Sequence, residues 1–542
     1  MRTRGARTRL VAATATFAMV LGGILAATPA AAAVGGAVSG TVSATSGPLA
    51  NIRVTFFPLW GSGDAAGTAL TNSSGAYSVT GLEQGTYRVR FAPEDQASTY
   101  AAAWWGGGSL ESESNILTLG AAAVTGVNVT LAAGGSISGT ITTGSSTDKG
   151  AAAAFLKNSV TGQWERFSRW ANANSSGAYT IRGLASGQYL LRFAPQSDNQ
   201  LISTRYWQNK TFWAEAQLVT ISGTGTVSGR DATLPSNGRK VARVAGSNRY
   251  ATSALIAGVN PDFANPDSVF IVNGTGYADA LSAGPAAAHL GSPVLLTRAD
   301  SLAPEITTKL SSMDPDTIYI VGGTPSISAA VEAQLAPYAN VGVVRIAGPD
   351  RYATSRLVAQ TIFGDGADTA YIATGANFPD ALSAGPAAAV EGGPVLLVNG
   401  AAATSDADTL AALQGLGVSK VVIAGSEGTI SAGIEASLRS AASVTEVYRR
   451  SGNNRYTTSV LLAQGSIRLA DAVFLATGTD FPDALAGSAL AGYESFRSPI
   501  YLVRPDCVPQ AVFDEIARVK PAEIYILGGT TTVGDILGSP AC

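Results

Sequence analysis

Ala245-Gly-Ser-Asn-Arg-Tyr-Ala-Thr-Ser returns as Ala347-Gly-Pro-Asp-Arg-Tyr-Ala-Thr-Ser and again as Ser451-Gly-Asn-Asn-Arg-Tyr-Thr-Thr-Ser, so the Arg-Tyr pair begins at Arg249, Arg351 and Arg455. The offsets, 102 and 104 residues, make the C-terminal half of the chain a triplication. Two further signatures keep step. Tyr277-Ala-Asp-Ala-Leu-Ser-Ala-Gly recurs from Phe378 and Phe481, and Ile320-Val-Gly-Gly recurs as Ile423-Ala-Gly-Ser and Ile526-Leu-Gly-Gly. Between them each copy spells one order: a helix opening at Arg-Tyr, a strand such as Val269-Phe-Ile-Val-Asn, a helix opening at Asp-Ala-Leu, a strand such as Pro293-Val-Leu-Leu-Thr, a helix, a strand ending in Gly-Gly and a last helix. Strands that are continuous apolar runs alternating with helices predict mostly parallel sheets covered on both faces.

Upstream the chain is a duplication. Val38-Ser-Gly-Thr-Val returns as Ile137-Ser-Gly-Thr-Ile, Ser74-Gly-Ala-Tyr as Ser176-Gly-Ala-Tyr, and Tyr87-Arg-Val-Arg-Phe-Ala-Pro as Tyr189-Leu-Leu-Arg-Phe-Ala-Pro. Short alternating runs rich in Tyr, Val, Thr and Phe between glycine turns predict two all-β sandwiches, each sheet with one wet face. The pattern resembles the carboxypeptidase-regulatory-like, transthyretin-like sandwich family. Relatives often carry Thr-Asp before the Ser-Gly-x-Tyr turn; Asn72 and Asn174 stand there instead, which argues against calcium. Trp104, Trp105, Trp207 and Trp213 follow the Phe-Ala-Pro strands. They are candidates for stacking on sugar rings, against the alternative that they plug the ends of the sandwiches.

At the N-terminus Arg2, Arg4, Arg7 and Arg9 precede an apolar stretch, Leu10 to Ala27, and a small-residue run ending Thr28-Pro-Ala-Ala-Ala-Ala-Val. That is the pattern of a secretory signal peptide, cleaved after Ala33. The expected division is therefore a leader at 1–33, sandwiches at 34–132 and 133–235, and repeats at 236–341, 342–445 and 446–542. Without the leader, 31 basic residues face 38 acidic ones. No basic face is evident to neutralise a nucleic acid, and no later run is apolar enough to span a membrane. The only two cysteines, Cys507 and Cys542, are expected to pair in an exported chain.

The three signatures at constant spacing resemble the cell wall-binding repeat family of Gram-positive surface proteins, the second type of such repeats. The resemblance implies a pseudo-threefold α/β assembly, located at the cell wall or surface, holding non-covalently to anionic wall polymers such as teichoic-acid-like glycans, or to peptidoglycan. Tyr277-Ala replaces Phe-Pro, Ser426 replaces a glycine and Arg450 an apolar residue, so the three sites need not be equivalent.

A glycine, then Asn or Asp, then a helical run places a capping side chain and free N–H groups where anions are favoured. Arg249, Arg351 and Arg455, with Tyr250, Tyr352 and Tyr456 beside them and Arg243, Arg345 and Arg449 six residues upstream, are the candidate polymer-binding set. The same arginines have an alternative use in pairing with Asp279, Asp380 or Asp483, which read first as helix N-caps. Thr252-Ser253, Thr354-Ser355 and Thr458-Ser459 would donate to polymer oxygens or bond back into their own helices. No catalytic set, metal ligands or cofactor motif is spelled: His289 is the only histidine, and no nucleophile elbow, zinc motif or P-loop occurs. The expected function is wall anchoring, with the sandwiches as spacers or display modules that have room for an extracellular carbohydrate or protein ligand. The alternatives are an adhesin that binds through the sandwiches and, less favoured, a glycan hydrolase.

Overall fold

Ser268–Asn273, Thr369–Thr374 and Ala472–Thr477 are buried along their whole length. Such strands need cover on both faces and sit at the inside of a sheet. In the computed structural model, which describes residues 33–144, 148–159, 164–165, 168–197, 202–236, 238–467, 469–538 and 541–542, each of the three is the second or third strand of a four-strand parallel core. The proposed leader lies outside the described residues except for Ala33.

The first sheet runs Val294–Thr297, Ser268–Asn273, Thr317–Val321, Gly342–Ile346, and the second runs Val395–Val398, Thr369–Thr374, Lys420–Ala424, Glu446–Arg450, all in parallel register. Thus Gly342–Ile346 and Glu446–Arg450, which open the second and third copies by spelling, pair with the sheet of the preceding copy. The third sheet closes the circle. Its edge strand is Lys240–Val244, the segment before the first Arg-Tyr motif, paired with Glu523–Leu527. Every sheet therefore ends in the strand that carries the upstream arginine of the next Arg-Tyr helix.

The helices opening at the aspartate motif, Ala283–His289, Pro379–Val390 and Pro482–Gly492, pack on one another. Their small residues permit this: a Cβ at Gly284 or Gly385 would collide with the Ser488 side chain, and one at Gly492 with Ala389. One apolar core runs through all three sheets. The disulfide Cys507–Cys542, with Cα atoms 6.0 Å apart, ties the end of the third copy to the loop after its Ile500–Val503 strand.

The described residues between 38 and 234 form two mostly antiparallel units, the first strand of each also taking parallel neighbours near the end of its unit. In the first, Val38–Ala44 pairs with Ala76–Val79, while Ile52–Pro58 pairs with Gly67–Leu70 and Gly85–Pro93; both sheets bury alternate residues in one core. The second repeats this with Gly135–Thr143 against Ala178–Leu184 and Gly150–Leu156 against Arg169–Asn172 and Gly187–Pro195. Asn72 and Asn174 each fold an Asx turn, accepting the N–H and Oγ–H of the serine two residues on, so the turn is closed by protein donors.

The antiparallel units are docked on the repeats. Trp60–Gly61 adds a short fifth strand, in parallel, to the outer edge of Glu446–Arg450. Arg88 meets Glu446 at 2.6 Å with both side chains only 16% exposed. From the third repeat, Lys520 Nζ donates to the carbonyls of Pro195, Gln196 and Ser197 at 2.6, 3.2 and 2.7 Å.

Candidate functional site

The three Arg-Tyr motifs fold alike because each step of the spelling has a local use. Asn248, Asp350 and Asn454 cap the helices Arg249–Ile256, Arg351–Ile362 and Arg455–Ser466 by accepting backbone N–H groups of the first turn. The threonine hydroxyls accept from the N–H of Gly246, Gly348 and Gly452. The serines donate to the carbonyls of Tyr250, Tyr352 and Tyr456 and accept from Leu296, Leu397 and Leu502 of the neighbouring strands. Both hydroxyls of each Thr-Ser pair are therefore engaged inside the fold.

Arg249, Arg351 and Arg455 each donate to the carbonyl that ends the following strand, at Gly274 (2.6 Å), Gly375 (2.5 Å) and Gly478. Glycine is required there, since a Cβ would come within 3 Å of the Tyr250, Tyr352 or Tyr456 ring. Held in this way, the guanidinium groups of Arg351 and Arg249 lean on the preceding copy. Arg351 lies 6.0 Å from the Tyr277 ring centre, and Arg249 closes the circle at 5.9 Å from the Phe481 ring and 3.7 Å from Asp480. The rings of Tyr277, Phe378 and Phe481 meet in the middle, with centroids 5.5, 5.7 and 6.0 Å apart. These aromatics were spelled in register with the aspartates, yet only the tertiary structure shows them as one cluster ringed by arginines.

Asp380 and Asp483 do not cap their helices, contrary to expectation. The caps are Phe378 and Phe481, with Pro379 and Pro482 at the first helical position, and the aspartates come one residue later; Asp279 opens a short 3-10 turn without a side-chain cap bond. All three carboxylates instead press against the glycine that follows the last strand, at Gly322, Gly425 and Gly528. Burial pushes Asp380 up to about 6 against the pull of Arg455. Asp483 rises to about 6 through burial and Asp480, opposed by Arg249. Thus each of these pairs spans two copies.

The upstream arginines are occupied elsewhere. Arg345 donates to Gly322 O at 2.7 Å and to Glu332, and Arg449 to Gly425 O at 2.9 Å and Glu435. Arg243 grips the carbonyls of Gly528, Val533 and Gly534. These three lock a sheet edge to the turn beside it. Nor are the four tryptophans open stacking faces. Trp104 is 2% exposed against Phe57, and Trp105 packs on the first core. Trp207 packs on the second core beneath Arg230, and Trp213 is wedged between Trp164 and Arg497 at the junction with the third repeat. The sequence placed these residues after a strand; the partners that cover them come from distant segments. Among the described residues there is no cluster fit to hold a metal and no helix long and apolar enough to cross a membrane.

The pattern of the family described as cell wall binding domain 2 matches residues 243–332, 345–435 and 449–537. Two curated proteins of Bacillus subtilis (strain 168) are similar: N-acetylmuramoyl-L-alanine amidase LytC, 34% identical over 293 residues, and amidase enhancer, 33% identical over 290. Each alignment spans 54% of this chain but only 56% and 38% of the relative, so the chain covers about half of the one and less of the other. Among solved structures, Cwp6 from Clostridium difficile shares the fold at a TM-score of 0.51 and 17% identity, over 89% of this chain and 66% of that one.

Proposed function

The C-terminal half of the chain belongs to the cell wall binding domain 2 family, and from that premise we propose that the protein is an exported, non-catalytic surface protein held non-covalently on an anionic Gram-positive wall polymer. The polymer is teichoic-acid-like in this reading, with peptidoglycan as the second candidate. The observation that carries it is the circle of Arg249, Arg351 and Arg455, each anchored at one terminal nitrogen by a strand-end carbonyl beside a central aromatic cluster. Guanidinium groups fixed in this way suit bidentate contacts to phosphate or carboxylate. Three equivalent helices around that cluster support a pseudo-threefold arrangement, and three weak sites in one rigid body gain strength from effective concentration. Arg243, Arg345 and Arg449 position the site, whereas Tyr250, Tyr352 and Tyr456 form its floor. The two antiparallel units are carboxypeptidase-regulatory-like sandwiches serving as spacers or display modules.

The test is co-sedimentation of the mature chain with Gram-positive wall sacculi before and after acid extraction of their anionic polymers. Retention should vanish on extraction and fall with added salt, because exposed charge contacts are screened. Equal retention on extracted walls would transfer the ligand to peptidoglycan, and no retention on either would overturn the anchor.

A further inference from the structure

The outer strands of the three sheets end alike. Leu296, Leu397 and Leu502 each donate their N–H to the serine of an Arg-Tyr helix, at 3.1, 2.9 and 3.2 Å. Two residues further on, just beyond the strands Val294–Thr297, Val395–Val398 and Ile500–Val503, stand the exposed side chains of Arg298, Asn399 and Arg504. The shared bond makes these three positions equivalent, yet two are cationic and one is neutral.

In the first copy the added guanidinium reaches the candidate site. Arg298 Cζ lies 5.2 Å from the centre of the Tyr250 ring, close enough for a cation–π contact to orient it. The edge of that ring and the stem of Arg249 both crowd Gly274, so Arg249 and Arg298 border one tyrosine. Arg249 is held by Gly274 O and by Asp480. Among the described residues the guanidinium groups of Arg298 and Arg504 have neither a hydrogen bond nor an ion pair. Glu305 feels the charge of Arg298 but accepts from Asn248 Nδ2 at 2.8 Å, the main cause of its lowered pKa. Asp300 and Asp506 follow the two arginines on exposed turns without pairing with them. In the third copy Ala511 takes the second helical position that Glu305 holds in the first.

The second copy is built differently. Its helix is capped by the exposed carboxylate of Asp350, where the others have Asn248 and Asn454. Its extra arginine, Arg356, is only 13% exposed and turned onto Asp406 and Asp408, each at 3.3 Å. Arg351 therefore has an acid beside it and no free guanidinium to join it.

Resting on the anchor reading above, we propose that Arg298 and Arg504 are further polymer-binding residues, so that an anionic group of the wall polymer is clasped by two guanidinium groups in the first and third copies and met by one in the second. Unpaired guanidinium groups suit this task because each offers a phosphate or carboxylate two parallel donors.

The test is co-sedimentation of the mature chain and its variants with unextracted Gram-positive wall sacculi. Arg298→Gln and Arg504→Gln should each weaken retention about three- to tenfold, as expected for one lost charge-assisted contact. Asn399→Arg should strengthen it. Arg53→Gln removes the same charge from the first antiparallel unit, where Arg53 and Glu94 form an exposed pair, and should leave retention unchanged. Melting temperatures of the Arg298, Asn399 and Arg504 variants should match the parent, since none of these side chains is buried. A parent retained on the walls, with Arg298→Gln and Arg504→Gln retained equally well, would overturn this proposal alone. Equal weakening by Arg53→Gln would overturn it too, by reducing the effect to net charge. A parent that no wall retains would overturn the anchor reading and this proposal with it.

Discussion

Gly425 shows how little freedom the repeat allows a single residue. Its φ is +115°, and a Cβ there would collide with Asp380 and Thr429. Replacing it with alanine adds backbone strain to that collision, so Gly425→Ala should lower stability by about 1–3 kcal/mol or more in thermal melts. The carboxylate on the other side of the contact gives a pH signature. Burial raises Asp380 in the folded state to about 6 from an ordinary value near 4. A raised folded value favours the protonated form, so this contribution to stability is fully present below about pH 4 and is lost as pH rises through about 6. Asp380→Asn should therefore match the parent near pH 4 and exceed it at pH 7.5, by about 1–3 kcal/mol. Melting curves at the two pH values check this; a variant less stable at pH 7.5 would show that Arg455 needs the charge more than burial opposes it.

Among the elements, the strand Lys240–Val244 carries the largest consequence, because it completes a sheet whose other members begin more than two hundred residues later. A fragment starting at Ala245 loses this pairing and the grip of Arg243 on the turn at Gly528–Gly534. It should melt well below a fragment starting at Arg239, and should associate through the bared edge of Glu523–Leu527. Equal melting temperatures in a side-by-side scan would show the strand to be dispensable. The same element marks where sequence reading stops. Continuous apolar runs such as Val269-Phe-Ile-Val announce parallel strands, and the capped Arg-Tyr helices are local enough to be spelled in full. Which sheet an edge strand joins is decided by the circular closure of the three copies, and equal repeats spell both choices alike. The aspartates were misread for a related reason: Asp-Ala-Leu looks like a cap until Pro379 and Pro482 set the helix start two residues earlier than such a cap would. Likewise nothing local to Trp104 or Trp213 reveals the Phe57 and Trp164 rings that cover them.

At the scale of the whole molecule, the question is whether five units unfold as one. The contact between Arg88 and Glu446 is well shielded, and losing one member leaves the other buried without its partner, a cost of about 3–5 kcal/mol for such pairs. Burial alone would raise Glu446, yet the Arg88 guanidinium overcomes this and holds it below the usual carboxylate range. A lowered folded value means that the stability it adds is present above the ordinary glutamate range and is lost as pH falls through the depressed value. The antiparallel units should thus loosen from the repeats in acid. Glu446→Gln should bring that loosening to neutral pH: calorimetry of the mature chain should split into two transitions, the first belonging to residues upstream of the repeats. Wall retention should persist, since Arg249, Arg351 and Arg455 stand on helices, and Arg449, on the strand of Glu446, is held by Glu435 and Gly425 O rather than by Glu446. A double-mutant cycle with Arg88→Met measures the coupling directly, and a value of about 1–3 kcal/mol is expected of two such groups in contact. A single unshifted transition in Glu446→Gln would mean that the added strand Trp60–Gly61 and the Lys520 clamp hold the halves together without it.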